Sequence, residues 1–207
     1  MKRTFAKVTA VWLLGFASSA IGCGDSSSSS NDTTPLVVFI ESQDDIVSED
    51  GALELQSGRL GIHSISLVGD EGAVPLLGPT TLDLALQTRE LQIPQPIQPG
   101  SYTGLLVELA PSIESGLVLD AEIQAVSTGE TIRAISELSM SGTTSFPEGP
   151  RTITEASSVE LHLSLLGMFF YLSPVTGAVD GVYEAGESQR GFLTMDLVGM
   201  FDLRVLP

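Results

Sequence analysis

Apolar residues recur at every second position through most of this chain. In "GIHSISLVG", Ile62, Ile65 and Leu67 with Val68 mark one strand, and in "TTLDLALQT" Leu82, Leu84 and Leu86 alternate with Asp83, Ala85 and Gln87. "GLLVELA", "GLVLDAEIQAV", "ETIRAISELSM", "SSVELHLSLL" and "FLTMDLVGMFDLRVL" read likewise. A period of two sends successive side chains to opposite faces, so each run predicts a half-buried strand of antiparallel sheet. Between the runs stand "GDEG", "PQPIQPGS", "APSIESG", "STGE", "FPEGPR" and "GAVDG", all rich in turn formers. Short strands separated by such turns predict an all-β chain folded as an antiparallel sandwich of the immunoglobulin or prealbumin kind. Its first strand is expected at "LVVFI", 36–40. No helical period is sustained: Asp83–Leu91 comes nearest, and even that reads more easily as strand.

Two stretches depart from plain alternation. "LSLLGMFFYLSPV", 163–175, is the most apolar run after the first 22 residues. It is too short for a transmembrane helix, which takes about 20 residues, and is expected to be a core strand that bends at Gly167. "LQIPQPIQPGSYTGLLVEL", 91–109, approaches a strand through prolines, which lack the ladder donor and so exclude a central position. Pro99-Gly100 sets a turn and Tyr102 opens the strand. A tyrosine at such a corner buries its ring and returns its hydroxyl to nearby backbone, which is a structural role.

The N-terminus reads differently. Lys2, Arg3 and Lys7 precede the short apolar run "VTAVWLLGFASSAIG", and no acid occurs before Asp25. A basic start, a short apolar run and small residues at its end make a secretory signal peptide, 1–22. The residue that follows is Cys23, the chain's only cysteine. Ala20-Ile21-Gly22-Cys23 resembles the bacterial lipobox, with Ala20 where leucine is common. The resemblance implies cleavage before Cys23 and lipidation of its thiol, usually with a further acyl chain on its amine. Two chains anchor a protein stably, whereas one is marginal. A lone cysteine in an exported chain is otherwise a free thiol, and lipidation accounts for it. It also leaves no cysteine for disulfides, so the fold must rest on its core. Residues 23–35 then form a tether: the serine-rich stretch Gly24–Pro35 behaves as flexible coil with a mean reach of roughly 20 Å. The β-sandwich domain is expected over 36–207. Gly24, not Asp, follows the cysteine, so by the same resemblance the anchor lies in the outer membrane of a Gram-negative envelope.

Removing the signal changes the charge balance. Beyond residue 22 there are six arginines, no lysine and all 26 acids, a formal charge of −20. Phosphate backbones are bound by clustered Lys and Arg, so nucleic acid is excluded as a partner, and anionic lipid surfaces are repelled. With 43% hydrophobic and 17% charged residues the chain is globular, not a disordered acidic segment.

The strand followed by "GDEGAVPLL", then "LDLALQ", then "IQPGSYTGLLVEL", is similar to a bacterial lipoprotein family known as domain of unknown function 4382. The similarity covers roughly 58–124, with Ile97 and Gln98 departing from the family's usual leucine and proline. It implies a lipoprotein on a prealbumin- or immunoglobulin-like sandwich and brings no catalytic residues.

Signatures of chemistry are sparse. His63 and His162 lie in separate strands without a His/Cys cluster around either. No G-x-S-x-G occurs, and "SMSGTTS" at 139–145 only mimics its composition. Without lysine the chain past the signal cannot hold a phosphate-binding G-x-x-x-x-G-K-[ST]. Glu41, Asp44, Asp45, Glu49, Asp50 and Glu54 form an acidic stretch, and Asp180, Glu184 and Glu187 a thinner one. Hard cations want several such oxygens, but neither spacing matches an EF-hand, so solvated loops are expected. No catalytic residue, metal or cofactor is therefore expected. The expected function is a lipid-anchored, non-catalytic envelope module whose partners are the membrane, through its anchor, and an unidentified protein or glycan. The alternatives are an envelope hydrolase using dispersed carboxylates and an accessory subunit of an envelope complex.

Overall fold

Alternation becomes pairing along one long strand. The structure, a computed structural model, describes residues 35–41, 52–84, 88–92, 97–164 and 178–206. Within it β2 (Leu53–Gly69) runs for 17 residues, since "LELQSGRLGIHSISLVG" contains no proline to end it. On one edge β6 (Gly100–Leu109) covers its later half, with Ile62 opposite Leu109 and Leu67 opposite Leu105. On the same edge β7 (Leu119–Ala125) covers its earlier half, with Leu60 opposite Leu119. The two meet at Gly61, whose N–H donates to Val118 O at 2.8 Å and whose carbonyl accepts from Ala110 N–H at 3.3 Å. Residues 110–118 loop out between them. A Cβ on Gly61 would lie 2.3 Å from Ala110 O, so only glycine fits there. On the opposite edge β3 (Gly72–Leu77) and β4 (Thr80–Asp83) share β2 in the same way, entered through the turn at Asp70–Glu71.

The larger sheet is completed by β8 (Thr131–Ser136), β9 (Met140–Ser145), β10 (Arg151–Ile153) and β12 (Val182–Glu184). Pairing runs from β2 through β6 to β9 and β10, and from β2 through β7 and β8 to β12. The smaller sheet holds β13 (Phe201–Leu206), β11 (Ser158–Ser164), β1 (Pro35–Glu41) and β5 (Thr88–Gln92), in that order. Leu60, Ile65, Leu67, Leu105 and Ile123 of the larger sheet join Leu161, Leu163, Phe201 and Leu203 of the smaller in one buried cluster. The chain is thus all-β and sandwich-like, as the alternation predicts.

Two expectations are corrected. The sheets are not wholly antiparallel: β1 pairs with β11, and β12 with β8, in parallel. These partners are far apart in sequence, so no tight hairpin dictates their direction. The run "FLTMDLVGMFDLRVL" is not one strand but a helix, α1 (Arg190–Gly199), followed by β13. Apolar residues there also recur at helical spacing, Leu193 with Leu197, so the pattern satisfied both periods. The helix lies close on β9, where a Cβ on Gly142 would sit 3.3 Å from Val198.

Tyr102 occupies the expected corner. It is 4% exposed, and its hydroxyl donates to Gln98 O at 2.7 Å. The register steps from Val68–Gly104 to Gly69–Tyr102, leaving Thr103 as an extra residue in β6. That bulge resets the alternation, and Tyr102, Leu105, Val107 and Leu109 are all buried. The expected signal, Cys23 and the expected tether up to residue 34, residues 42–51 and the stretch around Gly167 lie outside the described residues.

Candidate functional site

The two sheets end side by side. β10 closes one end of the larger sheet and β13 one end of the smaller, and between them runs an open groove of about 810 Å³. Arg151 on β10 is the pivot. Its guanidinium lies 4.6 Å above the centroid of the buried Phe146 ring. It also donates from Nη2 toward Asp202 of β13, 3.1 Å from Oδ1. Ring and carboxylate together fix the guanidinium, and the ion pair ties one sheet's edge to the other's.

Alternation along β13 carries Asp202 and Arg204 to the same face. In register they stand opposite His162 and Glu160 of β11. His162 Nε2 lies 3.2 Å from Glu160 Oε2. Arg204 and Glu160 thus set opposite charges across two strands, a kind of pair that contributes about 0.2–1 kcal/mol. His162 is a strand residue and is 7% exposed. Nothing in the sequence singled out Arg151 and Asp202, which are 51 residues apart. The available signal was scarcity, since each of the six arginines past residue 22 in so acidic a chain needs a reason.

His63 sits elsewhere. The register steps from Ile62–Leu109 to Ser64–Glu108, so His63 is an extra residue in β2, and it is exposed. A smaller hollow of about 460 Å³ brings it near Glu108 and Arg190. Glu108 accepts a hydrogen bond from the Ser64 hydroxyl. Arg190 donates to Glu187 at 2.5 and 2.7 Å and to Ser139 O at 3.1 Å. These bonds hold the Glu187 carboxyl below the usual carboxylate range.

The remaining sequence candidates are dispersed. Glu54 is on β2, Asp180 in a turn with φ of 51°, Glu184 on β12 and Glu187 beside Arg190. Among the described residues no three His, Cys, Asp or Glu side chains gather as metal ligands. "SMSGTTS" contains strand β9 rather than a strand–turn–helix elbow. A further bidentate pair joins Arg133 to Asp120 at 2.7 and 2.9 Å, and that hydrogen bonding holds the Asp120 carboxyl down. Arg133, Arg151 and Arg190 are each paired with a carboxylate. Among the described residues no helix is long and apolar enough to cross a membrane.

No family model matches the chain, and no curated protein matches it. Among solved structures, MbnP from Methylosinus trichosporium is similar, with 10% identity over 84% of this chain and 99% of its own, at a TM-score of 0.35.

Proposed function

We propose that this protein is a lipid-anchored module of the bacterial cell envelope, akin to the lipoprotein family of domain of unknown function 4382, that binds or supports a partner rather than catalysing a reaction. One observation carries the reading: the chain's single cysteine closes a signal-like segment as Ala20-Ile21-Gly22-Cys23 and opens a serine-rich tether. The pairing of Arg133, Arg151 and Arg190 with acids supports the non-catalytic half. In a bacterium that processes lipoproteins, the chain is expected to take up labelled palmitate and to fractionate with the outer membrane. Cys23→Ala should abolish labelling and leave the signal attached. Unchanged labelling in that variant overturns the anchor, and recovery in the inner-membrane fraction overturns the address.

A second reading rests on the larger groove, which holds two acids, Glu148 and Asp202. A pair of carboxylates across a cleft is the apparatus of glycoside hydrolysis. Turnover of chromogenic glycosides that disappears in both Glu148→Gln and Asp202→Asn would favour the hydrolase. None is expected, because Asp202 is occupied by Arg151.

A further inference from the structure

We propose that the groove between β10 and β13 binds a neutral oligosaccharide, which gives a ligand class to the binding-module reading on which this inference rests. Its volume of about 810 Å³ lies within the range of about 300–1,000 Å³ usual for ligand sites. The charges along it balance: Glu148 and Asp202 stand against Arg151 and Arg204. A charged ligand gains no net attraction from such a lining. An anionic one is also repelled by a chain whose formal charge beyond residue 22 is −20. An apolar ligand fares no better. It would strip water from the Arg151–Asp202 pair and from the hydroxyls of Thr152, Thr154 and Ser157 without replacing the lost hydrogen bonds. The lining thus asks for an uncharged ligand whose polar groups both donate and accept.

A sugar ring meets that demand. Neighbouring hydroxyls on it donate to a carboxylate and accept from a guanidinium, while its C–H face packs on aliphatic side chains. Arg151 and Asp202 set both polar halves side by side, with Nη2 3.1 Å from Oδ1. A guanidinium and a carboxylate together carry more donors and acceptors than one mutual contact uses. Their geometry is set in advance. The guanidinium rests 4.6 Å above the Phe146 ring, so its donors lie in a fixed plane and binding needs little further ordering. Thr154 and Ser157 are held as well: their hydroxyls are 3.0 Å apart, and Ser157 Oγ accepts from Thr154 N–H at 3.0 Å. Val205 and Leu206 supply the aliphatic side, and Leu206 is 40% exposed. A neutral peptide shares the polarity, but its donors and acceptors lie along a backbone, which is met by a strand edge rather than by hydroxyls and a guanidinium.

Isothermal titration calorimetry of the purified full-length protein tests this with maltohexaose, cellohexaose, the hexamer of N-acetylglucosamine and, as the charged control, hexagalacturonate. At least one neutral hexasaccharide is expected to bind saturably, and at least tenfold more tightly than hexagalacturonate. Asp202→Asn keeps the shape of the side chain but loses the charged acceptor, and should weaken that binding at least tenfold. Should that variant fold poorly by circular dichroism, Thr152→Val removes one exposed hydroxyl from β10 without changing its bulk and should weaken binding several-fold. The proposal is overturned if none of the neutral sugars saturates, if hexagalacturonate binds as tightly, or if both variants bind as the parent does. It is equally overturned if a decapeptide alternating Ser and Val binds more tightly than any of the sugars, which gives the groove to a protein segment. Failure of the anchor would show in Cys23 labelling and leave these titrations unchanged, and release of reducing ends during them would overturn the non-catalytic reading instead.

Discussion

At the scale of single residues, Tyr102 shows how one side chain fixes a strand entry. Its ring fills the core beside the Thr103 bulge and its hydroxyl closes the approach at Gln98. Burial, with a smaller contribution from the nearby Glu71 charge, raises its phenol above the ordinary tyrosine value. Tyr102→Phe removes only the hydrogen bond and should cost about 1 kcal/mol. Tyr102→Ala also empties the core and should cost about 3–5 kcal/mol. Urea denaturation checks the order, and equal losses would mean that the hydroxyl alone matters. Asp120 gives a pH-dependent counterpart. Its carboxyl titrates lower when folded, chiefly through its hydrogen bonds to Arg133. Its contribution is therefore full above the unfolded aspartate value of about 3.9 and is lost as pH falls through the lowered folded value. Arg133→Met should flatten that part of the acid limb of melting temperature against pH. The effect should be modest, because the arginine is half exposed. An identical acid limb in the variant would refute it.

At the scale of elements, the fold is organised by β2, whose edges are each shared by two strands. The exchange from β6 to β7 depends on Gly61, where the loop 110–118 passes too closely for any side chain. Gly61→Ala should cost more than about 2 kcal/mol, since the atom it meets is backbone and cannot swing away. Gly142→Ala meets only side-chain methyls of Val198, at 3.3 Å, and Thr194, at 3.5 Å, and should cost less. Chemical denaturation of the two variants tests the ranking. A reversed order would mean that α1, not the β6–β7 exchange, is the rigid contact.

At the scale of the whole molecule, charge governs. A formal charge of −20 beyond residue 22 makes the compact state repel itself, and added salt should relieve this. The melting temperature should rise with NaCl, and millimolar Ca²⁺ should add nothing beyond matched ionic strength. A saturable calcium effect, growing as RT ln(1 + [L]/Kd), would place a real site on the acidic stretches.

The sequence by itself determined the fold class and most strands, because a two-residue period leaves a half-buried sheet as the only way to hide Leu82, Leu105, Val107 and Leu161 together. It also determined the corner at Tyr102, since proline, glycine and a following alternation are local signals. Direction and register were another matter. β1 and β11 lie more than a hundred residues apart in the chain, and no local signal says whether two such strands run parallel. The helix at 190–199 went unseen because its apolar residues fit both periods, and close packing against Gly142 favours the helical one. The groove was decided by tertiary structure alone. Arg151 and Asp202 meet only because two sheets end side by side, a relation that exists between strands and nowhere along the chain.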